Sequence, residues 1–271
     1  MSCENNFQNP QMETASQDEI VSIQTERLKQ LIRRVYHSNP LQRERLDQEG
    51  YKPEEKKKKE DIKKLPLMDK ELLCKSYPFK LSCVDKKDVV EMHMSSGSTG
   101  TPIVMPYTNN DIQQWGQCMA RCYRMAGALR GDTVQITPSF GLFNGGFGMY
   151  HGARHMGLFV IPTGAGNTAR QIKLAKEFGT RIITGVVSYG IRIMEVLSDL
   201  DQDLPDLEVG IFGAETFSES MKEKITKGLG IEAFDIYGMT ETGGVGTLGM
   251  DCSQHDGIHV WEDHYIVEVI N

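Results

Sequence analysis

The sequence lacks the features that mark membrane, secreted and disulfide-rich proteins. No apolar run approaches the roughly 18 residues that a membrane-spanning helix requires, and the first residues, MSCENNFQNP, lack the basic and apolar regions of a signal peptide. The 6 cysteines are scattered without the spacing of a disulfide framework. We therefore expect a soluble, reduced protein located in the cytoplasm, with no membrane partner.

An excess of basic residues is also missing. The formal net charge is -7 and the pI is about 5.6, so no basic surface argues for a nucleic-acid partner. The one lysine run, KKKKE at residues 56–60, has no interleaved aromatic residues that could stack on bases. We interpret this run as a solvated face, with a nucleic-acid patch as the less favoured alternative.

The sequence does contain a hydroxyl-rich loop, SSGSTGTP, from Ser95 to Pro102. Gly97 and Gly100 allow positive φ and a close approach of the backbone to a ligand. Hydroxyl groups that could donate to phosphate oxygens come from Ser95, Ser96, Ser98, Thr99 and Thr101. A classical P-loop would need lysine where Thr101 stands. A flexible linker is the alternative, but the strand-like stretch IVMPYT follows at once, so we favour a loop that binds polyphosphate.

The beginning of the chain is predicted to be disordered and then helical. Residues 1–16 are polar, which predicts a disordered tail. Apolar residues then recur at near-helical spacing from Ile20 to Val35. This pattern predicts an amphipathic helix, which the Asn39-Pro40 pair ends.

A second amphipathic helix is predicted after the hydroxyl-rich loop. Asn109 or Asn110 can cap it, and its apolar residues fall on one stripe. Cys118 and Cys122 lie one turn apart in this helix, where disulfide geometry is rarely reached. We interpret both as small core residues rather than as metal ligands or a disulfide.

From residue 132 onward, strand-like apolar runs alternate with helical patterns. The strand-like runs are DTVQITP, LFVIPTG, TRIITGVV, LEVGIFGAE and IEAFDIYG. Continuous apolar strands separated by helices predict βαβ units, and therefore an α/β fold with a mainly parallel sheet flanked by helices. In such sheets, ligands bind beyond the carboxyl ends of the strands. Three polar or glycine-rich segments fall there, at residues 138–146, 212–215 and 237–244.

The end of the chain carries two further patterns. The segment GIHVWEDHYIVEVIN alternates in polarity, which predicts a strand over residues 258–271 outside the parallel sheet. The spacing of three residues just before and within this segment is typical of a small zinc site; they are Cys252, His255 and His259. Asp251 or Asp256 could complete tetrahedral coordination, and a solvent-facing loop with unrelated histidines is the alternative.

Several stretches together resemble one enzyme family. SSGSTGTP, FGAETFSESM, DIYGMTETGG and HVWEDHYIVEVI occur in the order and at about the separations found in phenylacetate–coenzyme A ligases, a branch of the adenylate-forming enzymes. LPLMDKELLCKSYPF, PSFGLFNGGFGMYHGA and GNTARQIKLAKEFGT agree as well, so the resemblance extends from about residue 20 to the end. It implies the N-terminal α/β domain of an adenylate-forming enzyme. The implied regions are a helical region at 17–90, the α/β core at 91–257 and the first strand of a truncated β subdomain at 258–271.

The resemblance implies a ligase reaction in two steps. ATP would activate a carboxylic acid, such as an arylacetic or another aromatic acid, to an acyl-AMP with loss of pyrophosphate. Coenzyme A would then take the acyl group as a thioester. The implied cofactors are ATP or AMP, Mg²⁺ and coenzyme A, and a homodimer is compatible with this interpretation. The alternatives are a non-catalytic nucleotide-binding fragment and an adenylating enzyme that passes the acyl group to a protein.

The resemblance also implies roles for individual residues. Ser95–Thr101 would hold the β- and γ-phosphates, Thr240 would hydrogen-bond the α-phosphate, and Glu241 would ligate Mg²⁺. Tyr237 would stack on adenine. The rest of the adenine pocket would be lined by Gly213, Ala214, Glu215, Asp235, Ile236, Gly238 and Met239. Ordinary strand-end and helix-cap roles are the alternative for these residues.

A pocket for the carboxylic acid substrate is predicted just after the strand-like run DTVQITP, where aromatic residues and glycines occur together. They are Phe140, Gly141, Phe143, Asn144 and Gly145. Aromatic walls, with room made by glycine, would accommodate an aromatic ring. Core packing is the alternative role for both phenylalanines.

The chain departs from the family pattern at positions that matter for activity. The family has lysine where Thr101 stands, and the aspartate expected to hold the ribose is missing. No lysine follows Lys227 and no arginine follows Arg192, so we expect the C-terminal lid domain with its catalytic lysine to be absent. We therefore expect the chain to bind ATP or acyl-adenylate but to form adenylate slowly or not at all.

Overall fold

The chain is divided into two compact units. The structure, a computed structural model, describes residues 7–53, 59–95 and 100–269. The first unit, which we call the amino-terminal unit, comprises Asn9–Asn109 and the segment that begins at Trp261. The second, which we call the sheet unit, is built from Asn110–Val260. The side chains of the lysine run KKKKE lie outside the described residues, as do residues 1–6.

The described part of the amino-terminal unit contains four α-helices and a two-stranded antiparallel sheet. The helices are α1 (Pro10–Glu13), α2 (Gln17–Ser38), α3 (Pro40–Gln48) and α4 (Lys70–Lys75), and the strands are β1 (Val89–Met94) and β2 (Val104–Thr108). The predicted disorder of residues 1–16 is wrong for Pro10–Glu13, because a proline near the start of α1 favours a helical first turn. The predicted domain boundaries after residues 16, 90 and 257 stay predictions.

Local hydrogen bonds set the ends of α2 and α3. The side chain of Ser16 accepts from the backbone N of Glu19, and the Glu19 carboxylate accepts from the backbone N of Ser16. The Ser16 hydroxyl also donates to the Glu19 carboxylate at 2.7 Å, and this bond, followed by the one from the Ser16 backbone N, lowers the pKa of Glu19. Asn39 ends α2, as the sequence predicts, and its Oδ1 accepts from the Gln42 backbone N at 3.0 Å to cap α3. The core of this unit is formed by Leu28, Ile32, Leu46 and Tyr51.

A seven-stranded sheet forms the centre of the sheet unit. Its strands are β3 (Thr133–Ile136), β4 (Phe159–Ile161), β5 (Ile182–Val186), β6 (Val209–Gly213), β7 (Glu232–Met239), β8 (Gly244–Asp251) and β9 (Ile258–Val260). The spatial order is β4-β3-β5-β6-β7-β8-β9. The neighbouring strands β4, β3, β5, β6 and β7 pair in parallel. The pairs β7–β8 and β8–β9 are antiparallel. The predicted α/β fold with a mainly parallel sheet is therefore confirmed.

Helices alternate with the parallel strands, as the sequence pattern predicts. They are α5 (Asn109–Met125), α6 (Asn144–Met156), α7 (Thr168–Glu177), α8 (Val187–Asp199) and α9 (Glu219–Leu229). Side chains from β5, β6, α8 and α9 share one core cluster, in which Ile183, Phe212 and Ile225 are almost fully buried. None of the helices in the described parts of the chain combines the length and the apolar character needed to cross a bilayer.

The last strand is shorter than the sequence predicts. β9 ends at Val260 and is the antiparallel edge strand of the same sheet, paired with β8. Residues 261–269 contain no strand, because the chain turns after Trp261, whose carbonyl accepts from the backbone N of His264 at 2.8 Å and of Tyr265 at 3.0 Å. The strand prediction is wrong for residues 261–269, its last two residues lie outside the described part of the chain, and the further β subdomain stays a prediction.

Helices α5 and α6 pack closely because α6 is rich in glycine. A Cβ on Gly148 would lie 2.4 Å from the Trp115 ring, and one on Gly152 would lie 2.3 Å from Cβ of Met119. Trp115 and Met119 are four residues apart on α5 and are both buried. On the same helix, Cys118 and Cys122 are buried and form no disulfide, which confirms their interpretation as core residues.

We expect Gly152→Ala to destabilise the protein by about 2 kcal/mol, although alanine favours a helix more than glycine does. The added methyl group would overlap the backbone and Cβ of Met119, which cannot move without displacing α5. Gly145→Ala in the same helix is the matched control, because its Cβ would meet Pro138 at 3.4 Å, an ordinary contact. Thermal and urea unfolding of both variants test this expectation. An equal stability for the two variants would contradict close α5–α6 packing.

Candidate functional site

The three predicted ligand segments lie at one edge of the sheet. They follow β3, β6 and β7, whose carboxyl ends all point to this edge because the strands are parallel. In the sheet, β5 lies between β3 and β6, and β7 is the next neighbour of β6. This is the location at which ligands bind in α/β folds of this type.

Thr240 lies in a 3₁₀ turn that begins directly after β7. It is only 9% exposed, and its Oγ1 accepts a hydrogen bond of 2.9 Å from Nδ2 of Asn144, the first residue of α6. Oδ1 of Asn144 accepts a second hydrogen bond, of 3.2 Å, from the backbone N of Val245. Asn144 therefore connects the start of α6 to both ends of the turn between β7 and β8.

The neighbours of Thr240 are more exposed. Tyr237 is 50% and Met239 40% exposed, and the carboxylate of Glu241 faces solvent. Within the described residues, no cation forms an ion pair with Glu241. An exposed carboxylate beside a buried hydroxyl is chemically suited to a hard divalent cation next to a phosphate.

Trp115 fixes the shape of the turn after β7. Its indole Nε1 donates to the carbonyl O of Val245 at 2.9 Å. Gly244 has a φ of 116, and a Cβ there would lie 2.4 Å from the Trp115 ring. Oγ1 of Thr242 accepts from the backbone N of Met239 at 3.1 Å. The turn is thus held by a buried helix and by its own side chains.

The segment after β6 begins where the backbones of β6 and β7 approach closely. A Cβ on Gly213 would lie 2.4 Å from the backbone O of Ile236 on β7, and Ala214 has a positive φ of 65. The carboxylate of Glu215 accepts from the backbone N of Ser188 at 2.7 Å and from its hydroxyl at 2.8 Å. Glu215 therefore binds the first turn of α8, where a negative charge is favourable.

The segment after β3 contains an aromatic cluster. The ring centroid of Phe140 lies 5.4 Å from that of Phe147 and 6.2 Å from that of Tyr150. Phe143 is 52% exposed, so core packing is the wrong alternative for this residue. Gly141 is exposed as well. The predicted acid pocket therefore contains one clustered and one solvent-facing phenylalanine.

A buried ionic cluster joins α9, β7 and β8. Asp251 is 1% exposed, and its Oδ2 accepts from Nζ of Lys222 at 2.7 Å. Its Oδ1 accepts from the backbone N of Asp235 at 2.8 Å. His255 places Nδ1 2.8 Å from Oδ2 of Asp251. A buried carboxylate requires such partners, because its charge is costly to remove from water.

The side chain of Asp235 is affected by this cluster. Its pKa is raised to about 6, first because burial disfavours the charged carboxylate and then because Asp251 carries a negative charge nearby. The positive charge of Lys222 opposes this change, and Glu219 adds to it. Asp235 is therefore close to half protonation at mildly acidic pH.

The predicted zinc site is wrong. The described residues include no group of three or more His, Cys, Asp or Glu side chains that could hold a metal ion, so Cys252, His255 and His259 do not form one. His255 instead contacts Asp251 through Nδ1, and its Nε2 lies 3.6 Å from Oε1 of Glu232. His259 is exposed on β9.

The hydroxyl-rich loop belongs to the amino-terminal unit and connects β1 to β2. The backbone N of Ser95 donates to the carbonyl O of Ile103, and its Oγ accepts from the backbone N of Ile103, both at 2.9 Å. Cys74 Sγ lies 3.2 Å from the carbonyl O of Thr101. The described ends of the loop therefore lie on two paired strands of one sheet. Outside the described residues lie Ser96, Gly97, Ser98 and Thr99.

Sequence reasoning missed two contacts that shape the site. Asn144 and Thr240 are 96 positions apart, and the asparagine sits among glycines in a stretch that suggests only a loop or a helix start. The pair of Lys222 and Asp251 is 29 positions apart. A charged residue in an otherwise apolar strand, as Asp251 is in β8, was the available signal for a buried ion pair.

Residues 10–264 match the sequence family described as AMP-binding enzyme. The phenylacetate-coenzyme A ligase of Escherichia coli (strain K12) is 39% identical over 264 residues, covering 96% of this chain and 60% of the relative. That of Thermus thermophilus is 34% identical over 264 residues, covering 97% and 59%. An open conformation of 2-hydroxyisobutyryl-CoA ligase in complex with 2-HIB-AMP and CoA has a TM-score of 0.89 at 22% identity, covering 97% of this chain and 59% of that one. The chain therefore spans about 60% of the length of the curated relatives it matches.

We expect Asp235→Asn to stabilise the protein at pH 7.5 but not at pH 4. The folded-state pKa of about 6 lies above the ordinary value, so stability is lost as pH rises from about 4 to about 6 and the folded carboxylate becomes charged. Because the side chain is half-buried, we discount the full effect and expect a gain of about 1 kcal/mol at pH 7.5.

Urea unfolding of wild type and variant at both pH values measures this gain. Asp256→Asn, an exposed aspartate in the same sheet unit, is the control and should change stability little at either pH. If Asp235→Asn stabilises equally at pH 4 and pH 7.5, the gain does not come from the carboxylate charge.

Proposed function

Because the chain belongs to the family of AMP-binding enzymes, we propose that it forms the nucleotide-binding part of an acid–thiol ligase that works through an acyl-adenylate. The observation that carries this proposal is the turn after β7, where a buried hydroxyl, Thr240, lies beside an exposed carboxylate, Glu241. The first of these groups can donate to a phosphate oxygen and the second can bind a cation. Together they match the needs of a nucleotide phosphate.

The proposed reaction begins with attack of a substrate carboxylate oxygen on the α-phosphorus of ATP. A new P–O bond forms and pyrophosphate leaves, which gives the acyl-adenylate. The thiol of coenzyme A then attacks the acyl carbonyl, and AMP leaves. In the first step two anions approach each other, so the site must offer hydrogen-bond donors to the phosphates.

Within this proposal, Thr240 donates its hydroxyl hydrogen to the α-phosphate. Asn144 is the first residue of α6 and touches Thr240, so the amino end of this helix lies beside the same position. The residue that precedes the helix, Phe143, gives no side-chain cap. The partial positive charge of the helix start therefore favours a phosphate there.

The remaining residues form the surroundings of the nucleotide. Half-exposed Tyr237 offers a ring face to adenine, and exposed Ala214 directly follows β6 at the same edge of the sheet. Glu241 would hold Mg²⁺, which supplies positive charge that screens the phosphates when it is bound. The binding of the β- and γ-phosphates by the loop from Ser95 to Thr101 stays a prediction.

The substrate is proposed to be an aromatic carboxylic acid. Phe140, Phe147 and Tyr150 form a ring cluster at the carboxyl edge, which provides an apolar surface for an aromatic ring. Curated relatives of the chain carry the name phenylacetate-coenzyme A ligase. A panel of arylacetic and benzoic acids, assayed for pyrophosphate exchange, tests this substrate class, and thioester formation with coenzyme A tests the acceptor.

We expect Thr240→Val to weaken AMP binding about 5- to 10-fold, because the hydroxyl donor to a charged phosphate is lost while the shape of the side chain is kept. Isothermal titration of AMP into the chain of residues 1–271 measures the dissociation constant. Thr226→Val, at a threonine on α9, is the matched control and should leave it unchanged. Absence of AMP binding by the wild-type chain would contradict the proposed function.

We expect Glu241→Gln to remove most of the gain in ATP affinity that Mg²⁺ gives. The amide keeps the size of the side chain but loses the negative charge that Mg²⁺ prefers. Binding of ATP is measured with Mg²⁺ and with EDTA for both proteins. Glu223→Gln, an exposed residue of α9, serves as the control. An unchanged Mg²⁺ effect in Glu241→Gln would exclude Glu241 as the ligand.

A further inference from the structure

The side chain of Asn144 has a fixed orientation. Its amide has one oxygen that only accepts and one NH₂ group that only donates. The group that faces its oxygen is the backbone N of Val245, at 3.2 Å, and a backbone N–H can only donate. Rotating the amide by 180° would place two donors against each other. The NH₂ group must therefore face Thr240.

This orientation determines the hydrogen-bond polarity of the Thr240 hydroxyl. Asn144 Nδ2 lies 2.9 Å from Thr240 Oγ1 and donates to it. A hydroxyl has one hydrogen and two acceptor lone pairs, so the bond from Asn144 uses a lone pair and leaves the hydrogen available. Among the described residues, no side-chain or backbone acceptor takes that hydrogen.

The surroundings keep Asn144 in place. It is the first residue of α6, and Gly148 and Gly152 of this helix pack directly on α5. Val245, its second partner, is held through its carbonyl by Trp115. The helix that carries Asn144 and the residue that accepts no alternative orientation of its amide, Val245, are therefore both held by contacts with α5.

We propose that Asn144 is a positioning residue, which turns the Thr240 hydroxyl so that its only hydrogen is donated to the α-phosphate of the bound nucleotide. The inference rests on the proposed function, since it assigns the nucleotide phosphate as the acceptor. It gives Asn144 a role different from the predicted wall of the acid pocket.

The test compares AMP with adenosine, which lacks the phosphate. We expect Asn144→Ala to weaken AMP binding about fivefold, the loss of one oriented hydrogen bond, and to leave adenosine binding unchanged. Isothermal titration measures both ligands, and thermal unfolding confirms that the variant is folded. Asn110→Ala, an exposed asparagine at the start of α5, is the matched control and should bind both ligands as wild type does.

The variant Asn144→Asp tests the polarity without changing the shape. Its carboxylate can still accept from Val245 but can only accept from Thr240, so the Thr240 hydrogen turns away from the ligand. We expect a loss for AMP at least as large as that of Asn144→Ala. If Asn144→Ala does not fold, this isosteric variant carries the comparison of AMP with adenosine.

The double variant Asn144→Ala with Thr240→Val separates positioning from direct contact. If Asn144 acts through the Thr240 hydroxyl, the second substitution should add little to the loss from the first. Additive losses, or equal losses for AMP and adenosine, would overturn the positioning role of Asn144. The proposed function would still stand in that case, provided that the wild-type chain binds AMP. No AMP binding by wild type would reject both.

Discussion

The buried carboxylate of Asp251 holds together the part of the sheet on which the candidate site depends. It lies at the end of β8 and binds Lys222 of α9, the backbone of β7 and His255. This is the place where parallel pairing ends, because β7 is parallel to β6 but antiparallel to β8. A charge with almost no solvent access must keep these partners, so helix and strands stay in register. The position of the turn after β7 follows from that register.

The turn is held from its other side by the packing of two helices. Glycines on α6 let it approach α5, where the Trp115 ring fills the space that side chains on Gly148 and Gly244 would take. The same indole binds the carbonyl of Val245. Thr240 therefore lies in a turn whose two strands are joined by the ionic cluster and which is hydrogen-bonded to both helices of the close-packed pair. A site that must present a hydroxyl at a defined position benefits from support of this kind, because little conformational freedom is left to lose on binding.

The sequence predicts the fold well where local pattern decides it. The five parallel strands and their helices follow from continuous apolar runs, and the segments after β3, β6 and β7 follow from the rule that ligands bind at carboxyl ends. Contacts between distant residues could not be predicted in this way. The sequence spacing of His255 from Cys252 and His259 suggests a zinc ligand. In the structure its ring nitrogen Nδ1 instead contacts the carboxylate of Asp251. The alternation after Val260 predicts a strand, yet main-chain hydrogen bonds to Trp261 turn the chain.

The sequence contains only 2 tryptophans, and the fold gives them different surroundings. Trp261 belongs to the amino-terminal unit, whereas Trp115 is 2% exposed in the sheet unit and hydrogen-bonded to the turn that carries Thr240. Indole emission depends on the hydrogen bond and the polarity around the ring. With Trp261→Phe, the remaining fluorescence would come from a single native probe at the base of this turn. The intrinsic fluorescence of Trp115 would therefore report movement of the β7–β8 connection without any added label.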